Sequence, residues 1–207
     1  MSTHRPDTPR DVMIAPSLSI EDAMVTLDRV GTGALLVCDD GGVLVAVLTD
    51  GDIRRAILRG HDLAESVSTI VAGRPLSVRH PIGRAEALAL MNKHDINHLP
   101  VVDDGGIVLD FLRRKDLVTL EQVDVHERDR INAVTVAPEL PLGEAIARLD
   151  LAGTRALLLC DDQRRLRGVL TDGDVRRAVL TGTSMREPCI AIASTDPVRV
   201  GRGTPSS

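Results

Sequence analysis

Two short segments of the chain carry residues whose types and spacing suit ligand chemistry. Thr49 and Asp52 are three positions apart, and Thr171 and Asp174 repeat this spacing. Each threonine is predicted to begin a helix, whose first N–H groups lack partners within the helix and can bind an anion such as phosphate. The carboxylate that follows can accept two hydrogen bonds, which suits two neighbouring hydroxyls of a ribose. The spacing therefore predicts a site for an anion beside a sugar diol.

The same residues also have an interpretation that requires no ligand. A threonine at a helix start, followed three residues later by an acid, is a variant of the capping box, in which side chains satisfy the free N–H groups. One hydroxyl can cap a helix and also face a ligand, so both interpretations stay open. Arg54 and Arg176 follow the two aspartates by two positions, where they can neutralise a polyphosphate.

Both Thr-x-x-Asp segments belong to a long internal repeat. At an offset of 122, residues 15–60 and 137–182 are identical at 26 of 46 positions without a gap. A weaker copy lies between them at an offset of 64, where Arg113 replaces the threonine and only Asp116 remains as a candidate ligand-binding residue. The chain thus contains three units of about 60 residues.

Hydrophobic spacing predicts the order β-α-β-β-α in each unit. In the first unit, apolar residues recur at helical spacing from Ile20 to Val30, and two apolar runs at 34–38 and 43–48 enclose a turn. A second helix is predicted from Thr49 to Gly60, and a short strand at 12–14 precedes the rest. One such unit has too small a core to be stable alone, so the fold class is α/β (α+β) with paired repeats.

This order resembles the cystathionine β-synthase (CBS) domain family. The resemblance rests on the run His98-Leu99-Pro100-Val101-Val102-Asp103 and on the two copies of Val-Leu-Thr-Asp-Gly-Asp before Arg-Arg-Ala. The sequence of these motifs is similar to that of the CBS pairs attached to sugar nucleotidyltransferases and arabinose-5-phosphate isomerases. The resemblance implies tandem CBS domains paired by pseudo-two-fold symmetry. It also implies that Thr49 and Thr171 meet the phosphate of an adenine nucleotide, and that Asp52 and Asp174 meet its ribose.

The function that this resemblance implies is regulatory. We expect a module that senses AMP, ADP, ATP or another adenosine ligand and transmits the change to an attached domain or partner. Two alternatives stay open: an N-terminal regulatory fragment of a sugar nucleotidyltransferase, and a structural dimerisation module that binds no ligand. The sequence contains no nucleophile with a base beside it and no phosphate-binding P-loop, so we predict that it is not an enzyme and that any catalytic domain lies outside it.

The repeats predict where the domains begin and end. We expect CBS domains at residues 9–65, 66–122 and 131–184, and the start of an incomplete fourth at 185–207. The charged stretch Glu121–Arg130 is predicted to be a linker. Because the last copy stops before its first predicted helix, the sequence looks like part of a longer one.

An odd number of complete units leaves the third without a partner in the chain. We therefore expect its apolar residues, including Ile146, Leu149 and the strand at 156–160, to face a second copy. This predicts a homodimer formed through the third repeat.

Composition disfavours several other functions. A net charge of −5 and a single aromatic residue, Phe111, argue against nucleic acid as a partner. No apolar stretch reaches the roughly 20 residues of a membrane span, so we expect a cytoplasmic protein with no membrane partner. Cys38 and Cys160 occupy one repeat position after an apolar run, which favours buried thiols over a disulfide or metal site. His94 and His98 are not expected to bind a metal.

Overall fold

Three small sheets with their flanking helices make up the described part of the chain. The computed structural model describes residues 8–71, 73–117, 131 and 133–197. Each sheet has three strands in sequence order, with the first parallel to the second and the second antiparallel to the third. The α/β class and the β-α-β-β-α order predicted from the sequence are confirmed.

The three repeats contain the same series of elements. The first comprises β1 Met13–Ile14, α1 Ile20–Val30, β2 Ala34–Cys38, β3 Leu44–Thr49 and α2 Asp50–Arg59. The second comprises β4 Val78–Arg79, α3 Arg84–Lys93, β5 His98–Val102, β6 Val108–Arg113 and the single turn α4 Arg114–Leu117. The third comprises β7 Thr135–Val136, α5 Leu142–Leu151, β8 Ala156–Cys160, β9 Leu166–Thr171 and α6 Asp172–Leu180. Short 3₁₀ helices lie at Pro9–Val12, Val67–Thr69 and Cys189–Ala191.

Helix α1 shows why these segments fold as they do. The Ser19 hydroxyl accepts the Asp22 N–H at 3.0 Å, which caps the helix start. The helix ends at Gly31, whose φ of 61° is the left-handed conformation that glycine adopts without strain. Between these ends, one face of the helix is buried from Ile20 to Val30. The predicted amphipathic helix is therefore confirmed.

The chain separates into two compact units. Unit 1 covers residues 1–52 and 62–122, and unit 2 covers residues 53–61 and 123–207. The division falls inside helix α2, directly after Asp52. The first turn of α2 therefore belongs to unit 1, whereas its later turns belong to unit 2. The predicted linker at 121–130 lies outside the described residues.

Within unit 1, the first and second repeats pair through their hairpin turns. The Leu44 N–H donates to the Gly106 carbonyl at 2.9 Å, and the Val108 N–H donates to the Gly42 carbonyl at 3.3 Å. A Cβ added at Gly106, whose φ is 85°, would lie 3.2 Å from a Val43 methyl carbon. Glycine is therefore required by both its conformation and the close approach of the two turns. The predicted pairing of these repeats is confirmed.

His98 makes a second contact between the same two repeats. Its Nε2 lies 3.0 Å from the Thr32 carbonyl oxygen, and its ring stacks on Phe111 with centroids 5.6 Å apart. The Thr32 hydroxyl in turn donates to the Ala34 carbonyl at 2.6 Å. These contacts give His98 a structural role in holding the repeats together.

Unit 2 has its own closed core, which corrects one prediction. Ile146 and Leu149 are fully buried inside this core and do not form an exposed apolar face. The expectation that these two side chains await a second copy was wrong, because the helix they lie on packs its apolar face on its own sheet. Cys189 is also fully buried in this core.

The cysteines provide a test of this packing. Burial, reinforced by the neighbouring Asp39 carboxylate, raises the pKa of Cys38 to about 11, and burial also raises the pKa of Cys189. Iodoacetamide reacts with thiolates, and at pH 8 a thiol of pKa about 11 is ionised in roughly one molecule per thousand. We expect the partly exposed Cys160 to be labelled first in the native protein.

Mass spectrometry of digested, labelled protein gives the rate at each site. For Cys38 in the native protein, the labelling rate should increase from pH 9 towards 11. The same increase should occur about two pH units lower in urea, because the thiolate is disfavoured only in the folded state. Equal labelling of all three cysteines in native protein at pH 8 would contradict this packing.

Candidate functional site

The candidate site lies where a strand runs directly into a helix. Strand β3 ends at Thr49 and helix α2 begins at Asp50, with no residue between them. Thr49 pairs with Ala34 across the sheet, and the Asp50 N–H donates to the Gly33 carbonyl at 3.3 Å. The third repeat has the same junction between β9 and α6, with Thr171 paired to Ala156. The sheet thus fixes where each helix starts.

A reciprocal set of hydrogen bonds closes each junction. One oxygen of Asp52 accepts the Thr49 N–H at 2.8 Å and the Thr49 hydroxyl at 2.6 Å. The Asp52 N–H donates back to that hydroxyl at 3.3 Å. Thr171 and Asp174 form the same three bonds at 2.8, 2.6 and 3.3 Å. We call Thr49 with Asp52 the first cradle, and Thr171 with Asp174 the second cradle.

The cradle geometry confirms that these residues cap their helices. The threonine hydroxyl both donates and accepts within the cradle, and one aspartate oxygen takes two local donors. In the second cradle, the other Asp174 oxygen accepts Arg177 Nη2 at 2.5 Å. The Arg177 side chain is 54% exposed, whereas the Asp174 side chain is 10% exposed, so only the arginine of this pair lies at the surface. The ligand-binding roles of Thr49, Asp52, Thr171 and Asp174 stay predictions.

Arg54 has protein partners in place of the phosphate predicted for it. Its residue is 7% exposed, and its Nη1 lies 2.5 Å from an Asp172 oxygen. Its Nε donates to Asp150 at 3.3 Å. All three residues belong to unit 2. This arrangement favours a structural role for Arg54 over charge neutralisation of a ligand, and Arg176 is buried as well.

Asp172 is an unusual residue at a helix start. It is 8% exposed, and burial raises the pKa of its carboxyl, whereas the Arg54 guanidinium opposes that rise. Sequence reasoning missed both Asp172 and Asp150 as partners of Arg54. One available signal was that aspartate recurs at the equivalent positions of the first repeat, Asp28 and Asp50.

The middle repeat is built differently at the same place. Arg113, which replaces the threonine, is buried and its Nε donates to Asp116 at 2.5 Å. Asp116 therefore has one oxygen occupied by a cation of its own repeat, although its predicted ligand role is untested. Helix α4 follows Arg113 directly and is described over Arg114–Leu117.

The described residues do not provide other obvious sites. None of them forms a group of three or more histidine, cysteine or acidic side chains that could hold a metal ion. Among these same residues, no helix combines the length and apolar content that a membrane crossing requires.

The described residues thus form three β-α-β-β-α repeats with a capped strand-to-helix junction in each outer copy, which defines a class of small repeated α/β domains. The profile of the CBS domain family matches residues 7–59, 67–122 and 125–181, and the chain belongs to this family.

Comparisons with individual proteins agree with this assignment. Arabinose 5-phosphate isomerase GutQ of Salmonella typhi is 37% identical over 95 residues, which are 46% of this chain and 29% of the isomerase. Inosine-5'-monophosphate dehydrogenase of Helicobacter pylori is 28% identical over 152 residues, covering 72% of this chain and 31% of that enzyme. The chain spans about a third of the length of the curated relatives it matches.

Among solved structures, Protein MJ1225 from Methanocaldococcus jannaschii is similar in fold. The TM-score is 0.74 at 17% sequence identity, and the match covers 90% of this chain and 79% of that one. This likeness supports the fold of the tandem repeats.

The caps make a prediction about stability. Thr171→Ala should lower the free energy of unfolding by about 1 kcal/mol, because Asp174 loses a donor and its N–H loses an acceptor. Thr171→Ser keeps the hydroxyl and should cost much less. Urea unfolding followed by circular dichroism measures both, since the chain has no tryptophan or tyrosine for fluorescence. Equal losses for the alanine and serine variants would show that the lost methyl group, and not the cap, carries the effect.

Proposed function

We propose that this chain is a regulatory module that senses an adenine nucleotide at its two cradles and passes the change to an attached domain or partner. The observation that carries the proposal is the recurrence of one cradle geometry, with the same three distances, in two repeats of a CBS-family chain. A helix cap that serves only stability does not require the identical sequence Thr-Asp-Gly-Asp in both copies.

The chemistry of the cradles suits a nucleotide. The start of α2 or α6 supplies N–H groups and a partial positive charge for phosphate. Asp52 and Asp174 supply carboxylate oxygens for the two ribose hydroxyls, and such charge-assisted hydrogen bonds are among the stronger polar contacts. A ligand that draws the second-cradle carboxylate towards ribose must compete with Arg177, so binding changes local contacts that a partner can read.

The relatives support a role beside a catalytic part. The matched segments make up about a third of the isomerase and the dehydrogenase, which is the size expected of an accessory module within a larger enzyme. We propose that this chain is itself without catalytic activity. One version of this proposal is that it is the N-terminal regulatory part of a sugar nucleotidyltransferase.

Calorimetry with AMP, ADP and ATP tests nucleotide binding. We expect heat of binding for the unaltered chain. Asp52→Ala with Asp174→Ala should weaken binding by about tenfold or more, because charged hydrogen bonds to ribose are lost. Asp162→Ala, which removes an exposed carboxylate elsewhere in the third repeat, is the matched control and should bind normally. Absence of heat at millimolar concentrations of all three nucleotides would refute the proposal.

A structural module without a ligand is the second candidate. It is favoured by the closed hydrogen bonding of the cradles, in which each threonine hydroxyl already has local partners. The two candidates differ in one measurement. If Asp174→Ala lowers stability while leaving the affinity of the folded protein unchanged, Asp174 is only a cap. If the unaltered chain binds none of the three nucleotides and Asp174→Ala still lowers stability, the second candidate is correct.

Assembly into a homodimer through the third repeat is a further part of the proposal. Leu151 at the end of α5 is 81% exposed, so this apolar side chain of the third repeat is accessible to a second copy. Light scattering coupled to size exclusion should give a mass near twice 22.2 kDa at tens of micromolar. Leu151→Asp should reduce it, whereas Val25→Asp, at an exposed site in the first repeat, should not. A mass of 22.2 kDa for the unaltered chain would contradict the dimer.

A further inference from the structure

Two acidic side chains meet next to the second cradle and share one cation. Asp150 lies near the end of helix α5, and Asp172 is the first residue of helix α6, immediately after Thr171. Arg54 reaches both, with Nε on Asp150 and Nη1 on Asp172. Arg54 comes from helix α2 of the first repeat, and the charges of Arg155 and Arg176 of the third repeat also act on Asp172.

In the middle repeat, the position that corresponds to the acid pair is held by contacts among residues of that repeat. Asn92 and Arg114 occupy the positions that correspond to Asp150 and Asp172. Arg114 Nη1 bonds directly to the Asn92 side chain, and its Nη2 donates to the Ile96 carbonyl at 2.7 Å. The middle repeat therefore has an arginine and an amide where the third has two acids, and it requires no arginine from outside.

The acid pair occurs together with the cradle threonine. The first repeat carries Asp28 and Asp50 at these positions along with Thr49, and the third carries its two acids along with Thr171. The middle repeat has neither the acid pair nor the threonine. This joint occurrence links the acid pair to the function of the cradle and not only to folding.

Arg54 stabilises the start of helix α6. Two carboxylates bonded to one guanidinium repel each other without it. Asp172, which is 8% exposed, also costs free energy to desolvate unless a cation compensates it, whereas the Asp150 side chain is 34% exposed. A guanidinium bonded to both fixes the Asp172 side chain, and with it the backbone between Thr171 and Asp174. Those are the residues whose N–H groups and carboxylate form the second cradle.

We infer that Arg54 is a positioning residue for the second cradle. Arg54 lies on helix α2, and its bonds to Asp150 and Asp172 hold the start of helix α6. The ligand part of this inference rests on the proposed function.

Binding at the second cradle is measured by calorimetry with ADP in an Asp52→Ala background, where the first cradle is disabled. Arg54→Met should weaken binding by about tenfold, within the range of measured couplings between sites. Arg59→Met is the matched control, because Arg59 lies on the same helix and is exposed. It should change affinity by less than about twofold. Equal affinities for the two methionine variants would overturn the inference.

A rescue variant separates positioning from general loss of stability. Arg54→Met combined with Asp150→Asn and Asp172→Arg copies the internal pair of the middle repeat into the third. The combined variant should recover most of the affinity lost by Arg54→Met, since the start of α6 is again held, now from within its repeat. If the combined variant is folded but binds as weakly as Arg54→Met, the positioning role is wrong.

Hydrogen exchange provides a test that does not depend on any ligand. Arg54→Met should accelerate exchange of the Thr171 and Asp174 amides by roughly tenfold while amides of strand β8 change by less than about twofold. Uniform acceleration throughout unit 2 would indicate a merely structural role and overturn the inference. If the unaltered chain binds no nucleotide but Arg54→Met produces this local change in exchange, the proposed function fails while the positioning role of Arg54 stands.

Discussion

The junction at which a strand becomes a helix without a loop is the constraint on which each outer repeat depends. The backbone must change direction between Thr49 and Asp50, and between Thr171 and Asp172, while the first N–H groups of the helix have no helical partner. The threonine hydroxyl accepts the N–H of the aspartate three residues later, and that aspartate accepts both the N–H and the hydroxyl of the threonine. With the junction fixed, the helix packs on its sheet in one direction only. These hydrogen bonds therefore help to set the position of the residues on that helix, including Arg54.

The same bonds create a conflict between stability and ligand binding. An aspartate oxygen that holds two local donors is already well satisfied, so a ligand gains only through the remaining oxygen and the free helix N–H groups. In the second cradle that remaining oxygen is held by an exposed arginine, which is the more easily displaced of its partners. The ligand that we propose would therefore meet a cradle that is already held by its own hydrogen bonds.

The repeat, the order of its elements and the capping residues could be predicted from the sequence, because they depend on spacing within about 60 residues. The partners of Arg54 could not, since Asp172 is 118 positions away and nothing local marks it. Leu149 was assigned to an intermolecular surface for a related reason. Its helical spacing predicts a buried face, but not whether its own sheet or another chain covers that face. Comparison of the three repeats position by position contained the missing signal, in the exchange of two acids for Asn92 and Arg114.

The hairpin turns of the three repeats share a backbone conformation at a position where their residues differ. Gly42 and Gly106 face one another closely, whereas the third repeat has Arg164 at the equivalent position with a φ of 59°. The third repeat thus has the same left-handed backbone at this position with an arginine in place of glycine. A duplicated copy can therefore change the chemistry of its surface while its inherited backbone stays the same. Divergence of this kind allows one ancestral unit to acquire different neighbours without acquiring a different fold.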